Sequence, residues 1–191
     1  MKFGIVSSLT LIICVGFVLA GCYIISDSIK KDIAYVLNRC EPNNLNLKTK
    51  SVILNNNFGE LKLKLHVAKT PTELQTGLMC IKDLNKGIDG MIFEFQTPQD
   101  KAFWMYKTIM PLQIVYFNEF NESVGNFLMK PCSKKILENK DVWVERCLAE
   151  SSNYIPESNY LYAIEIIESY EDIDKLKNYL HKEKLNLLRN N

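Results

Sequence analysis

The sequence predicts an α+β domain, mainly antiparallel β: a small compact β-barrel or sandwich-like unit with a short capping helix and a C-terminal helix. Three observations predict this class. Leu61-Lys62-Leu63-Lys64-Leu65-His66-Val67 alternates strictly between apolar and polar, the period-2 signature of a half-buried strand. Further apolar runs of strand length follow, bounded by turn-forming residues. The βαβ alternation of a parallel sheet is missing, as are internal repeats.

In chain order, Leu61, Leu63, Leu65 and Val67 are expected to face the core, with Lys62, Lys64 and His66 pointing outward. Thr70-Pro71-Thr72-Glu73 has the form of a capping box: Thr70 at N-cap, Pro71 at N1 and Glu73 reaching back from N3. A short helix through Leu74, Leu78 and Met79 should follow. Gly90-Met91-Ile92-Phe93-Glu94-Phe95, Ala102-Phe103-Trp104-Met105 and Leu112-Gln113-Ile114-Val115-Tyr116-Phe117 read as three more strands. Ser123 to Met129 completes a hairpin after a turn at Asn118–Asn121, and an irregular stretch leads to a strand over Tyr160–Ile167. Ile173, Leu176, Leu180 and Leu187 share one side of a helix expected over Asp172–Leu188.

A chain of 191 residues has room for one domain and a tail. The N-terminus is distinct. Lys2 is followed by an uncharged run from Phe3 to Ile25, which as a helix would measure about 35 Å against a hydrocarbon layer of about 30 Å. Two readings of it stand side by side. Leu19-Ala20-Gly21-Cys22 has the form of a bacterial lipobox, in which Cys22 takes lipid and becomes the mature N-terminus. Alternatively the segment stays uncut as a transmembrane anchor, because Tyr23-Ile24-Ile25 continues the apolar run. Either places the protein in a bacterial cell envelope, membrane-anchored, with its domain facing the periplasm or the outside. The expected organisation is a signal or anchor over residues 1–22, a stalk over 23–50, a β-rich domain over 51–170 and a C-terminal helix over 171–191.

The order of several motifs resembles the bacterial and archaeal family known as domain of unknown function 192. The carriers are Thr70/Pro71/Glu73, Gly77-Leu78-Met79, Gly90-Met91/Phe93/Phe95, Phe103-Trp104-Met105, Thr108/Pro111-Leu112, Pro131-Cys132 and Tyr160 to Glu165. The resemblance spans about Leu61 to Ile167. It implies a compact, mostly β domain, often behind a signal peptide, and implies no particular activity. This chain departs from the pattern at Thr76, where Arg is usual, at Lys107, where Asn is usual, and at Gln113, where Asp is usual. The final helix stands where a Gly-Asp turn is usual.

Formal net charge is +1, which gives no electrostatic case for nucleic acid. With Cys14 in the export segment and Cys22 assigned to lipid, Cys40, Cys80, Cys132 and Cys147 remain, an even set suited to an oxidising compartment. Cys132 and Cys147 flank one excursion and are the favoured pair; Cys40–Cys80 follows, against the reading of Cys80 as a buried free thiol. His66 and His181 have no neighbour in sequence that suggests a triad or a zinc site. The scattered methionines are better core filler than copper ligands. No metal or cofactor is expected.

The stretch with most chemical potential is Phe103 to Gln113. Phe103, Trp104, Met105, Lys107, Thr108 and Gln113, with Glu73 and Lys101 as additions, could line an apolar hollow with a few polar hooks. In the plainer reading Phe103 and Met105 are core and Trp104 caps the sheet. The function that follows is a binding or interaction module on a membrane anchor, its partner an envelope protein or a small molecule. The alternative is an envelope enzyme using Trp104, Lys107 and Glu73.

Overall fold

The computed structural model describes residues 27–40, 47–168, 170 and 172–189. The export segment and Cys22 lie outside the described residues. Helix α1 (Asp27–Leu37) precedes strands β1 (Thr49–Asn56) and β2 (Gly59–Ala68); α2 (Pro71–Thr76) leads to β3 (Gly90–Gln99), β4 (Leu112–Phe117) and β5 (Ser123–Met129). Helix α3 (Lys140–Ser151), β6 (Tyr160–Ile167), α4 (Ile173–Lys182) and β7 (Asn186–Arg189) complete the order. The strands form one seven-stranded sheet, β5-β4-β6-β3-β2-β1-β7. Only β2 and β3 pair in parallel, joined through α2; the other neighbours are antiparallel.

The α+β, mainly antiparallel class holds, and the sheet is open. Its edge strands nevertheless meet at one bridge, Glu122–Asn186. There Ser123 N–H donates to Leu185 O at 2.8 Å, and Leu187 N–H donates to Asn121 O at 2.8 Å. The sheet is therefore curled almost far enough to hide its edges.

Each face carries its own core. On one face β1, β2, β4, β6 and β7 gather Val52, Leu54, Leu63, Leu65, Val115, Phe117, Ile164 and Leu187, closed by Leu176 and Tyr179 of α4. On the other, Met91, Phe93, Ile114, Tyr116 and Met129 pack under Leu78, Ile81 and the Trp143/Cys147 side of α3. Covering both faces explains why all six residues of β4 are buried.

Double covering also corrects the outward placement of His66, which is 3% exposed. Alternation assigns His66 to the opposite face from Leu65, but that face is roofed at this end of β2. Three more expectations change. Ala102–Met105 is not a strand; it sends Phe103 and Met105 into the second core and has no ladder partner. The C-terminal helix stops at Lys182, and residues 186–189 join the sheet beside β1. The 23–50 stalk is in large part domain: α1 is tied to the 80–83 loop by Cys40–Cys80 and by the ion pairs Lys31–Asp83 and Lys82–Asp32, and β1 starts at Thr49. The second disulfide joins Cys132 to Cys147 of α3. Helix α3 occupies the stretch read as irregular.

Candidate functional site

The structure divides the Phe103–Gln113 residues among three places. Phe103 is part of an aromatic cluster, edge-on to Phe93 at 4.7 Å and to Tyr116 at 5.8 Å, and its N–H donates to Tyr116 Oη at 3.2 Å. Met105 and Thr108 are buried, 2% and 5% exposed. Gln113 lies on the other sheet face, paired with Ile166, its Nε2 donating to Ile114 O at 3.3 Å. Glu73 completes the capping box: its Oε2 accepts from the N–H groups of Thr70 and Lys69, both at 2.9 Å. The Thr70 amide accordingly holds the Glu73 carboxyl below its ordinary pKa. Glu73 borders a groove with Lys48, Lys50 and Lys69, whose last two lysines pair with Glu94. Glu73 and Lys107 line different hollows, so the triad imagined for an enzyme does not converge.

Lys107 opens a different site. Trp104 stacks on Tyr106 at 5.0 Å, and Tyr106 lies against Trp143 of α3 at 4.5 Å. Beside this aromatic wall is a hollow of about 430 Å³, bordered by Asn38, Arg39, Lys107, Lys134, Lys140 and the N-terminal end of α3. Several devices hold its rim. Lys107 adopts φ +58°, and its carbonyl accepts the Cys80 N–H at 2.8 Å, so the Cys40–Cys80 bridge draws the end of α1 onto this segment. Asn38 Oδ1 accepts the Lys134 N–H at 2.9 Å. Arg146 grips both carboxylate oxygens of Glu138 at 2.9 Å and the Ser133 carbonyl at 2.9 Å, shaping the 133–138 loop. The Arg146 contact pulls the Glu138 pKa down to about 2.

Two polar features of this hollow are unsatisfied. Asn38 is fully buried and its Nδ2 has no hydrogen-bond partner among the described residues. Arg39, Lys107, Lys134 and Lys140 make no ion pair among the described residues. Of the hollow's residues only Lys107 was foreseen. Asn38 and Arg39 sit in the supposed stalk, and the helix bearing Lys140 and Trp143 lacks a clear apolar stripe, with Val142 and Leu148 exposed. Asn139, its N-cap, accepts the Val142 N–H at 2.9 Å and was the one available sequence signal for that helix.

A buried acid was also missed. Glu165 of β6 is 4% exposed, and burial raises its pKa to about 8. Its side-chain carboxyl makes no hydrogen bond among the described residues. In the ladders it pairs with Met91, which pairs with His66, so one row across the sheet carries the buried carboxyl and the buried imidazole. Burial, partly offset by the Leu47 backbone, lowers the His66 pKa.

The two disulfides indicate an oxidising, extracytoplasmic environment. Among the described residues no helix is long and apolar enough to cross a membrane. Two solved structures share the fold. One is a protein of unknown function from Novosphingobium aromaticivorans DSM 12444, with 19% identity, TM-score 0.53, and coverage of 77% of this chain and 90% of that one. The other, described as a "putative transcription regulator" from Sinorhizobium meliloti 1021, has 16% identity, TM-score 0.54, and coverage of 77% and 98%. At these identities the likeness concerns fold alone. No curated protein matches the chain. The profile of domain of unknown function 192, described as "Uncharacterized ACR", matches residues 53–166. That span takes in β2 through β6, and the chain belongs to this family.

Proposed function

We propose that this protein is an envelope protein, anchored to a membrane through its N-terminal segment with Cys22 as the lipid site, whose domain binds a ligand at the Lys107 hollow. The observation that carries the binding reading is the hollow itself: about 430 Å³ between Asn38–Arg39 just after α1, residues 106–107, the 134–139 loop and the start of α3, with an aromatic wall and unpaired polar groups around it. The disulfides support the location. If Cys22 is the anchor, the four residues Tyr23 to Ser26 join it to Asp27, a reach of at most about 18 Å over five Cα–Cα steps. With α1, about 16 Å long, fastened to the domain at its far end by Cys40–Cys80, the hollow there would then stand within about 35 Å of the anchor.

Native mass spectrometry of the full chain, purified in mild detergent from its own envelope, tests both halves. The expected spectrum shows covalent lipid at Cys22, loss of residues 1–21, and a non-covalent adduct that Lys107→Ala removes. A chain retaining residues 1–21 would overturn the lipoprotein form. A chain that carries no adduct and acquires none from envelope extract would overturn ligand binding.

A further inference from the structure

We propose that the Lys107 hollow binds a phosphate-type oxyanion, either a soluble phosphate ester or a phospholipid headgroup. The inference rests on the binding reading above and names the ligand's chemistry.

The charge balance of the hollow is one-sided. Arg39, Lys107, Lys134 and Lys140 border it, and none is paired with a carboxylate among the described residues. The carboxylate on the same rim, Glu138, has both oxygens engaged by Arg146, and Oε2 also accepts the Lys135 N–H at 2.9 Å. It is therefore poorly placed to neutralise the four cations. Elsewhere on this molecule clustered cations do find acids: Lys50 and Lys69 share Glu94, while Lys31 and Lys82 pair with Asp83 and Asp32. Four unpaired cations around one hollow repel one another, and a multivalent anion relieves that repulsion.

Two further groups specify an acceptor of hydrogen bonds. Asn38 Nδ2 is shut off from bulk water and unpartnered. Its orientation is fixed because Oδ1 is held by the Lys134 N–H at 2.9 Å. A buried donor left unmade is unfavourable, and because no water-sized atom reaches Nδ2 as the side chain now packs, a ligand oxygen would satisfy it only through a small shift of the residues that cover it. The N-terminus of α3, a helix of 12 residues, borders the same space through Asn139 and Lys140. First-turn amides have no intrahelical acceptor and carry the positive end of the helix dipole, although here Asn139 Oδ1 already takes the Val142 N–H at 2.9 Å and Asp141 adds a negative charge to the first turn. Amide, guanidinium and ammonium donors border the hollow from the turn after α1, the 134 loop and α3, a set that suits a tetrahedral oxyanion better than a planar carboxylate. The volume exceeds that of bare phosphate, which leaves room for an ester substituent against Tyr106 and Trp143.

The test uses the full chain in neutral-detergent micelles. In one arm, inorganic phosphate and glycerol phosphate are titrated by calorimetry and by tryptophan fluorescence, which Trp143 beside the hollow should report. In the other, phosphatidylglycerol or, as a control, phosphatidylcholine is doped into the micelles. Saturable binding is expected in at least one arm, weakened tenfold or more by Lys107→Gln/Lys134→Gln and unchanged by Lys50→Gln. Asn38→Asp, which puts a carboxylate where the orphan donor was, should also weaken it. Unaltered thermal melting of the lysine double variant separates loss of site from loss of fold. Response to the free anions identifies a soluble ester; response to phosphatidylglycerol alone identifies the headgroup. No saturable response in either arm, or equal binding by the double variant, overturns the proposal. A phosphorus-free adduct in native mass spectrometry would leave ligand binding standing while this inference falls.

Discussion

A Cβ placed on Gly90 would lie 1.9 Å from the carbonyl oxygen of Glu165. Strands β3 and β6 approach as they do because residue 90 has no side chain. The clash would be with backbone in the centre of the sheet, where no flexible group can give way. Gly90→Ala is therefore expected to abolish cooperative folding or lower the melting temperature by more than 10 °C. A melting curve within a few degrees of the parent would contradict the close approach.

The buried acid gives stability a pH dependence of definite sign. Glu165 has a folded pKa of about 8 against an ordinary value near 4.5. Between those values the folded chain holds a proton that the unfolded chain has released, so stability falls as pH rises through this window. The full loss is on the order of 3–5 kcal/mol and is complete above about pH 8. His66, with its lowered pKa, acts oppositely below pH 6.5. Comparison with Glu165→Gln separates the two: the variant should gain stability relative to the parent as pH goes from 5 to 9. Parallel denaturation curves across that range would refute a buried neutral carboxyl.

The Cys132–Cys147 bridge closes a 15-residue separation, which by loop entropy corresponds to about 3 kcal/mol. Replacing both by Ala should lower stability by roughly that amount, within a factor of two. It should also loosen α3, whose Trp143 Nε1–H donates to the Cys132 carbonyl at 2.8 Å. Urea denaturation measures the first effect and hydrogen exchange of the α3 amides the second. A non-reducing peptide map that links either cysteine elsewhere would sink the pairing.

Leu187 of β7 is 1% exposed, in the core that α4 closes. Leu187→Ala should destabilise the whole domain by about 2–5 kcal/mol, as core truncations do. If the last residues were a loosely attached helix, the same change would have little effect on the global unfolding midpoint.

The sequence by itself determined the α+β class, the capping box at Thr70–Glu73, five of the seven strands and the even set of four cysteines. Each rests on an interaction local in sequence: side-chain alternation, a turn, a cap, a count. It also carried the ordered motifs by which the family is recognised. Only the tertiary structure decided which faces are covered. Strict alternation sent His66 outward, yet the fold roofs both faces of β2 at that point. Residues 27–40 read as a stalk because α1 gains its place from a disulfide to Cys80 and ion pairs to the 82–83 loop, roughly 50 positions along the chain. Residues 186–189 read as helix because Leu187 fits the stripe of α4, and pairing with β1 overrides that local preference. The candidate site follows the same division. Lys107 was legible as a polar hook, but its companions Asn38, Lys134 and Lys140 are distant in sequence. No spacing rule announces a hollow that exists only where the turn after α1, the 106–107 segment, the 134–139 loop and the start of α3 meet.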